Sequence, residues 1–233
     1  MPEPSMWRAR REDTVRKTAD KVRNKKSVPP APVRPRKRLS REERSADVRE
    51  AIFDAATRVI RQHGYAGASI SRITEAAGFA QGTFYLYFGS RQELFDELLP
   101  HAGVAMLDFI RERVRGSRDI YDMEERGFRA FFEYLDANPG FIRVLNEAET
   151  AAPLAHRKHF KILADRYLVA LERAVKRGEI RNFDRDELET VAYMMMAARS
   201  YLYLRYVKGN ERHRKLPEKV VKAYMKIIRG GLS

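Results

Sequence analysis

Gly78 lies between two short stretches of helical period, ISRITEAA (70–77) and QGTFYLYF (81–88), with only Gly78, Phe79 and Ala80 to join them. So short a joint makes two helices cross directly, and a glycine is the residue best able to take the left-handed conformation that ends the first. Ile70 and Ile73 give the first helix an apolar side, Ala76 and Ala77 are small enough for a close crossing, and Phe79 plugs the turn. The second helix places four aromatic rings within Phe84–Phe88, too dense for one face of a helix with 3.6 residues per turn. The cluster therefore divides. Phe84 and Phe88, four apart, close a small core, whereas Tyr85 and Tyr87 face outward, where a hydroxyl can reach a phosphate oxygen. In a helix-turn-helix the first helix braces the second, whose exposed face enters the major groove of DNA.

The remainder of the chain reads as all-α, with about nine helices and no sustained strand alternation. Ser40 and Glu43 have capping-box spacing ahead of a stripe that runs Val48, Ile52, Ala55, Ala56, Val59, Ile60, and Gly64 supplies its stop. Ser90 and Glu93 form a second capping box, opening a longer helix in which Pro100 predicts a kink or break near Leu99. Further helices are expected over 120–137, 141–150, 154–177, 184–208 and 217–229, closed respectively by Asn138-Pro139, Pro153, Gly178, Gly209 and Gly230-Gly231.

Charge is placed unevenly. Residues 1–39 hold 13 Lys/Arg against 4 Asp/Glu, which is +9 of the total +14, and end in a proline-rich run that favours extended chain. This is a basic arm, either following phosphates or a narrow minor groove, or a solvated tail, and its bias points to a polyanion partner. No apolar run approaches the roughly 18 residues of a membrane helix, so the chain reads as cytoplasmic with no membrane partner. With no cysteine there is no thiolate metal site and no thiol nucleophile. His156 and His159 are three apart without the glutamate of a zinc-binding helix, which leaves them as surface histidines and gives no metal site. There is no Gly-x-Ser-x-Gly, no phosphate-binding glycine loop and no carboxylate–histidine cluster, so neither an enzyme nor a bound cofactor is expected. A purely protein-binding body with a vestigial head is the other alternative.

The stretch SISRITEAAGFAQGTFYLYFGSRQEL, within a continuous match from about Val48 to Leu94, closely resembles the signature of tetracycline-repressor-like (TetR) regulators. That resemblance implies a homodimer, a three-helix DNA-binding head and a larger helical domain that holds a small-molecule effector. By position it implies that Ser69 caps the bracing helix and touches phosphate, that Gln81 and Thr83 read bases or adjacent phosphates, that Tyr85 and Tyr87 grip the backbone, and that Arg91 makes a basic phosphate contact. Gly82 lets the backbone come close to phosphate, and Arg72 is a weaker candidate, equally well a solvated charge. Three positions depart from the common pattern: Ala80 stands where serine is common, Tyr87 where histidine is, and Arg91 where lysine is.

The expected organisation is an arm over 1–39, a DNA-binding domain over 40–92, and an effector-binding and dimerisation domain over 93–233. In the last, Phe128, Phe131, Met195 and Tyr203 are candidates to line an apolar cavity, with Asn146 and Arg199 to orient a ligand. The last two helices are expected to pair with their copies as a four-helix bundle, and Pro100 is the expected flex point between head and body. The resulting expectation is a ligand-responsive transcriptional regulator, a repressor in most such proteins, that binds a pseudo-palindromic operator as a dimer.

Overall fold

A computed structural model describes residues 40–209 and 216–232. The basic arm expected over 1–39 lies outside them. Among the described residues the ordered elements are helices: α1 (Arg41–Gly67), α2 (Ile70–Ala77), α3 (Gln81–Tyr85), α4 (Arg91–Val114), α5 (Ile120–Ala137), α6 (Phe141–Ala151), α7 (Pro153–Lys176), α8 (Leu188–Tyr206) and α9 (Glu218–Leu232). None is long and apolar enough to cross a membrane.

Each boundary has a local cause. α1 leaves helical geometry at Gly64, with φ 71° and ψ 172°, the stop anticipated there. α2 is capped by Ser69, whose Oγ accepts from the Arg72 amide at 3.3 Å. It ends at Gly78 in the left-handed region, φ 75° and ψ 26°, while the Phe79 amide returns to the Thr74 carbonyl at 2.9 Å. Ser90 caps α4 by accepting from the Glu93 amide at 3.1 Å, and the Glu93 carboxylate accepts from Gly89, one residue before the cap, at 2.7 Å.

Several boundaries differ from expectation. α3 stops at Tyr85 instead of Phe88 because the chain tightens into three-residue turns, Leu86 to Thr83 and Tyr87 to Phe84, and these lower Phe88 into the core beside Phe84. α8 begins at Leu188, not Asp184: the Asp184 carboxylate accepts from the amides of Asp186 and Glu187, and Glu187 returns the bond to the Asp184 amide, so a side-chain-capped turn precedes the helix. α9 continues through Gly230-Gly231 because Leu232 beyond them is buried and anchors the last turn.

Pro100 does not break α4, which runs from Arg91 to Val114 without interruption. Leu98, Leu99 and Pro100 are all buried there. Tertiary packing outweighs the missing backbone donor, since α4 packs chiefly against α5 and α7. At Gly103 an added Cβ would overlap the imidazole of His159 on α7. His159 is therefore buried, not a surface histidine as its spacing suggested; His156 is half-buried.

Burial, helped by the charge of His156 and opposed by the Leu99 carbonyl, lowers the His159 pKa to about 4. The folded protein thus keeps this ring neutral while the unfolded chain protonates it near pH 6.5. Its contribution to stability is complete above that pH and is lost progressively as the pH falls from about 6.5 to about 4. Urea titrations across that range should show a shallower loss for His159→Phe than for the wild type. Gly103→Ala should lower stability at neutral pH by about 1–3 kcal/mol, because the facing ring is enclosed and cannot yield.

Candidate functional site

The head is a three-helix unit built from α1, α2 and α3 and closed by the start of α4. Phe84 and Phe88 are fully enclosed; Phe53 of α1 meets the Phe88 ring edge-on at 5.5 Å, and Phe84 lies 5.5 Å from Phe88. Arg49 of α1 spans the end of this unit: its guanidinium lies 4.7 Å from the Phe88 ring centroid, pairs with Glu97 of α4 and reaches the Tyr87 carbonyl at 3.5 Å. With two phenylalanines fixed inside, helical geometry turns the other side of α3 to solvent. Gln81, Gly82 and Tyr85 are exposed, and Thr83 and Tyr87 are half-exposed. Leu86, which the sequence reading did not single out, is 80% exposed beside them. Nothing lies within 4 Å of the Cβ position at Gly82, so the backbone there is open to a close-approaching partner.

The flanking candidates fall on the same part of the chain. Ser69 is half-exposed with its Oγ engaged as the α2 cap. Arg72 is exposed, but its guanidinium folds back on the Gly67 carbonyl at 2.8 Å, which leaves other donors free. Arg91 opens α4 as an exposed residue, its guanidinium 5.5 Å from the Phe95 ring centroid. Together these residues carry hydroxyls, an amide and guanidinium groups, all hydrogen-bonding groups suited to phosphates and base edges.

In the helical body two cavities, of about 50 Å³ and about 200 Å³, adjoin between α4, α5, α6, α7 and α8 and share Leu107, Ile110, Tyr167 and Arg199 as walls. Arg199 is buried. Its Nη2 donates to Glu124 Oε1 at 2.7 Å, its Nη1 to the Met195 carbonyl at 2.9 Å, and Tyr224 Oη donates to the same carboxylate oxygen at 2.6 Å. Burial works against the guanidinium charge, but Glu124 and the surrounding phenols outweigh it and keep Arg199 protonated; burial pushes the phenols of Tyr167 and Tyr224 up, so both retain their protons. A neutralised ion pair in an apolar wall offers an incoming molecule polar contacts without demanding that it be charged.

Of the six residues anticipated for a pocket, Phe131 and Arg199 line these cavities. Phe128 stacks on Tyr224 at 4.1 Å behind Arg199, and Met195 supplies only its carbonyl. Asn146 and Tyr203 line neither cavity. Asn146 is exposed, because α6 turns Phe141 and Leu145 inward and leaves the residue after Leu145 outside; Tyr203 is half-buried, one turn beyond Arg199. Glu124 was not foreseen, although a carboxylate interrupting the apolar stripe Ile120, Phe128, Phe131, Leu135 was a legible sign. Among the described residues no group of three or more His, Asp or Glu side chains is arranged to hold a metal ion.

A helix-turn-helix head joined to a helical body with an internal cleft is the architecture of a DNA-binding transcriptional regulator. Residues 52–98 match the family described as bacterial regulatory proteins, tetR family. Over those residues the head is that of the TetR family of transcriptional regulators. The transcriptional repressor NicS of Pseudomonas putida is 28% identical over 174 residues, covering 72% of this chain and 81% of NicS. The Bacillus subtilis transcriptional regulator YvdT is 43% identical over a shorter 72 residues, 31% of this chain and 37% of YvdT. The transcriptional regulator FadR of Bacillus subtilis, solved in complex with stearoyl-CoA, shares the fold with a TM-score of 0.68 at 18% identity, covering 79% of this chain and 99% of FadR.

Replacing Arg199 with methionine should strand the Glu124 carboxylate without its cation and cost about 3–5 kcal/mol in chemical denaturation. Adding Glu124→Gln to that variant should recover part of the loss, since the two side chains act as one unit.

Proposed function

We propose that this regulator is a ligand-responsive repressor that binds a pseudo-palindromic operator as a homodimer and is released by a small-molecule effector. The observation that carries the reading is the division of α3, with Phe84 and Phe88 enclosed and Gln81, Thr83 and Tyr85 turned outward. In this reading residues 40–92 are the DNA-binding domain, residues 93–233 hold the effector and the dimer contact, and the basic arm of 1–39 precedes the head in sequence. Gln81 and Thr83 meet bases or adjacent phosphates; Ser69, Tyr85, Tyr87 and Arg91 hold the phosphate backbone, Gly82 permits close approach, and Arg72 adds a basic contact.

The dimer reading is supported by α8 and α9, which expose Met194, Tyr201 and Ile227 at 67%, 73% and 73%. Large apolar groups concentrated on two neighbouring helices suit a self-complementary contact between copies. The effector reading is supported by the paired cavities behind Arg199, whose walls are mostly apolar with one buried ion pair. Their character suits a mostly apolar molecule with a small polar group, and the fold-related FadR was solved holding an acyl-CoA. A ligand favouring a conformation whose two heads no longer match the operator spacing would weaken DNA binding, by about 1–3 kcal/mol in typical coupled systems.

DNA fragments selected by the wild-type chain from a random pool provide the operator for the test. Tyr85→Phe should weaken binding about tenfold for any sequence, the value of one charge-assisted phosphate bond, whereas Gln81→Ala should reduce discrimination between selected and unrelated duplexes. Ile227→Glu should convert the protein to a monomer in sedimentation at micromolar concentration and lower operator affinity with it. Equal affinity of the wild type for selected and unrelated duplexes would exclude the reading.

A further inference from the structure

We propose that Glu147 is a positioning residue for the DNA-binding head, fastening the segment that leads into α2 to the cavity-lining helix α6, so that occupancy of the cavity is felt at the helix-turn-helix. This rests on reading the cavity as the effector site.

α6 is two-faced. Phe141 and Leu145, one turn apart, form part of the smaller cavity wall. Arg143 and Glu147, also one turn apart, grip the end of α1 instead. Glu147 Oε2 accepts from the Tyr65 amide at 2.8 Å, Glu147 Oε1 accepts from Arg143 Nε at 2.6 Å, and Arg143 Nη1 donates to the Arg61 carbonyl at 2.8 Å. These bonds reach the backbone on either side of the break at Gly64: the Arg61 carbonyl before it and the Tyr65 amide after it. Burial opposes the Glu147 charge, but the bonds from Arg143 and the Tyr65 amide outweigh it and hold the carboxyl below its ordinary range.

The gripped segment is short and taut. The Ala68 amide returns to the Tyr65 carbonyl at 3.2 Å, the Ser69 amide to Gly67 at 3.1 Å, and Ser69 is already the cap of α2. Tyr65 also sets its ring edge-on against Phe95 of α4 at 4.7 Å, so the residue whose amide is held by α6 has its side chain against the connecting helix. α6 meets the head at both of its ends as well. At Gly140 a Cβ would come within 2.8 Å of the Thr57 methyl on α1, and the Ala151 carbonyl accepts from Gln92 in the first turn of α4 at 3.2 Å. A helix so tied moves as a unit. A ligand that displaces Phe141 and Leu145 must carry Arg143 and Glu147 with it, because packed helices shift between discrete arrangements and do not deform continuously.

The test needs no identified effector. Leu163 lines the same small cavity, and Leu163→Trp places extra volume there as a stand-in for a ligand. Affinities for a selected operator fragment and for an unrelated duplex are measured for wild type, Leu163→Trp, Glu147→Ala, the double variant, and Leu163→Trp with Glu147→Gln. Leu163→Trp should weaken operator binding about tenfold, a typical coupling, without changing binding to the unrelated duplex or the helical circular dichroism. In the Glu147→Ala background the same replacement should add less than about twofold, and Glu147→Gln, which keeps an oxygen for the Tyr65 amide, should restore most of the effect. A Leu163→Trp effect of equal size with and without Glu147, or none in the wild-type background, overturns the proposal. If Leu163→Trp fails to fold, Leu163→Phe is read by the same criteria. Titration with the apolar fluorophore 1-anilinonaphthalene-8-sulfonate separates the two readings: absence of binding to the wild type sinks the effector cavity, while the mutant cycle still decides the role of Glu147.

Discussion

Enclosure of Phe84 and Phe88 fixes which face of α3 is left to solvent. A helix of five residues has almost no stability of its own. α3 holds its orientation because two phenylalanines at helical spacing are sunk against Phe53 and the start of α4, each fully buried aromatic ring contributing about 1.5–3 kcal/mol of burial. Once those rings are inside, Gln81, Thr83 and Tyr85 have only the outside left to them. Gly78 is the complementary backbone constraint, since its left-handed conformation sets the crossing of α2 and α3.

The body meets a different demand, namely enclosing space without collapsing it. Aromatic rings of α5 and α6 and the soft side chains of α4 and α8 wall the two cavities, and the Glu124–Arg199 pair with Tyr224 ties α5, α8 and α9 across them. Such a network specifies one arrangement of helices because any displacement leaves a charge buried without its partner. α4 and α6 each touch both this cavity and the head, the former through its continuous run past Pro100 and the latter through Arg143 and Glu147. Pro100 lies within this continuous helix, buried between the head and the cavity-lining part of α4.

The head was legible in the sequence almost residue by residue, since its demands are local: a cap at Ser69, a left-handed glycine, and an aromatic split by helical period. The body was legible as a set of helices and less so as a site. Period and breakers locate α5 to α9, but which buried residues touch depends on contacts between helices far apart in sequence. Glu124 and Tyr224 are 100 positions apart, and His159 is buried only because Gly103 of α4 leaves room for its ring. Asn146 lies outside the two cavities for the same reason, as polarity alone does not say which way a helix is rotated. Pro100 shows packing outweighing a local rule, and α9 shows one buried leucine carrying a helix through two glycines.

The central claim is that α3 presents its polar face to the major groove, and chemical protection of guanine N7, an atom exposed only there, tests it most directly. On a fragment selected by the wild-type protein, dimethyl sulfate should find protected guanines in two clusters about one helical turn apart, and protection should weaken when Gln81 and Thr83 are both replaced by alanine. Unprotected N7 positions on a fragment that is nonetheless bound, or a pattern indifferent to Gln81 and Thr83, would contradict the account.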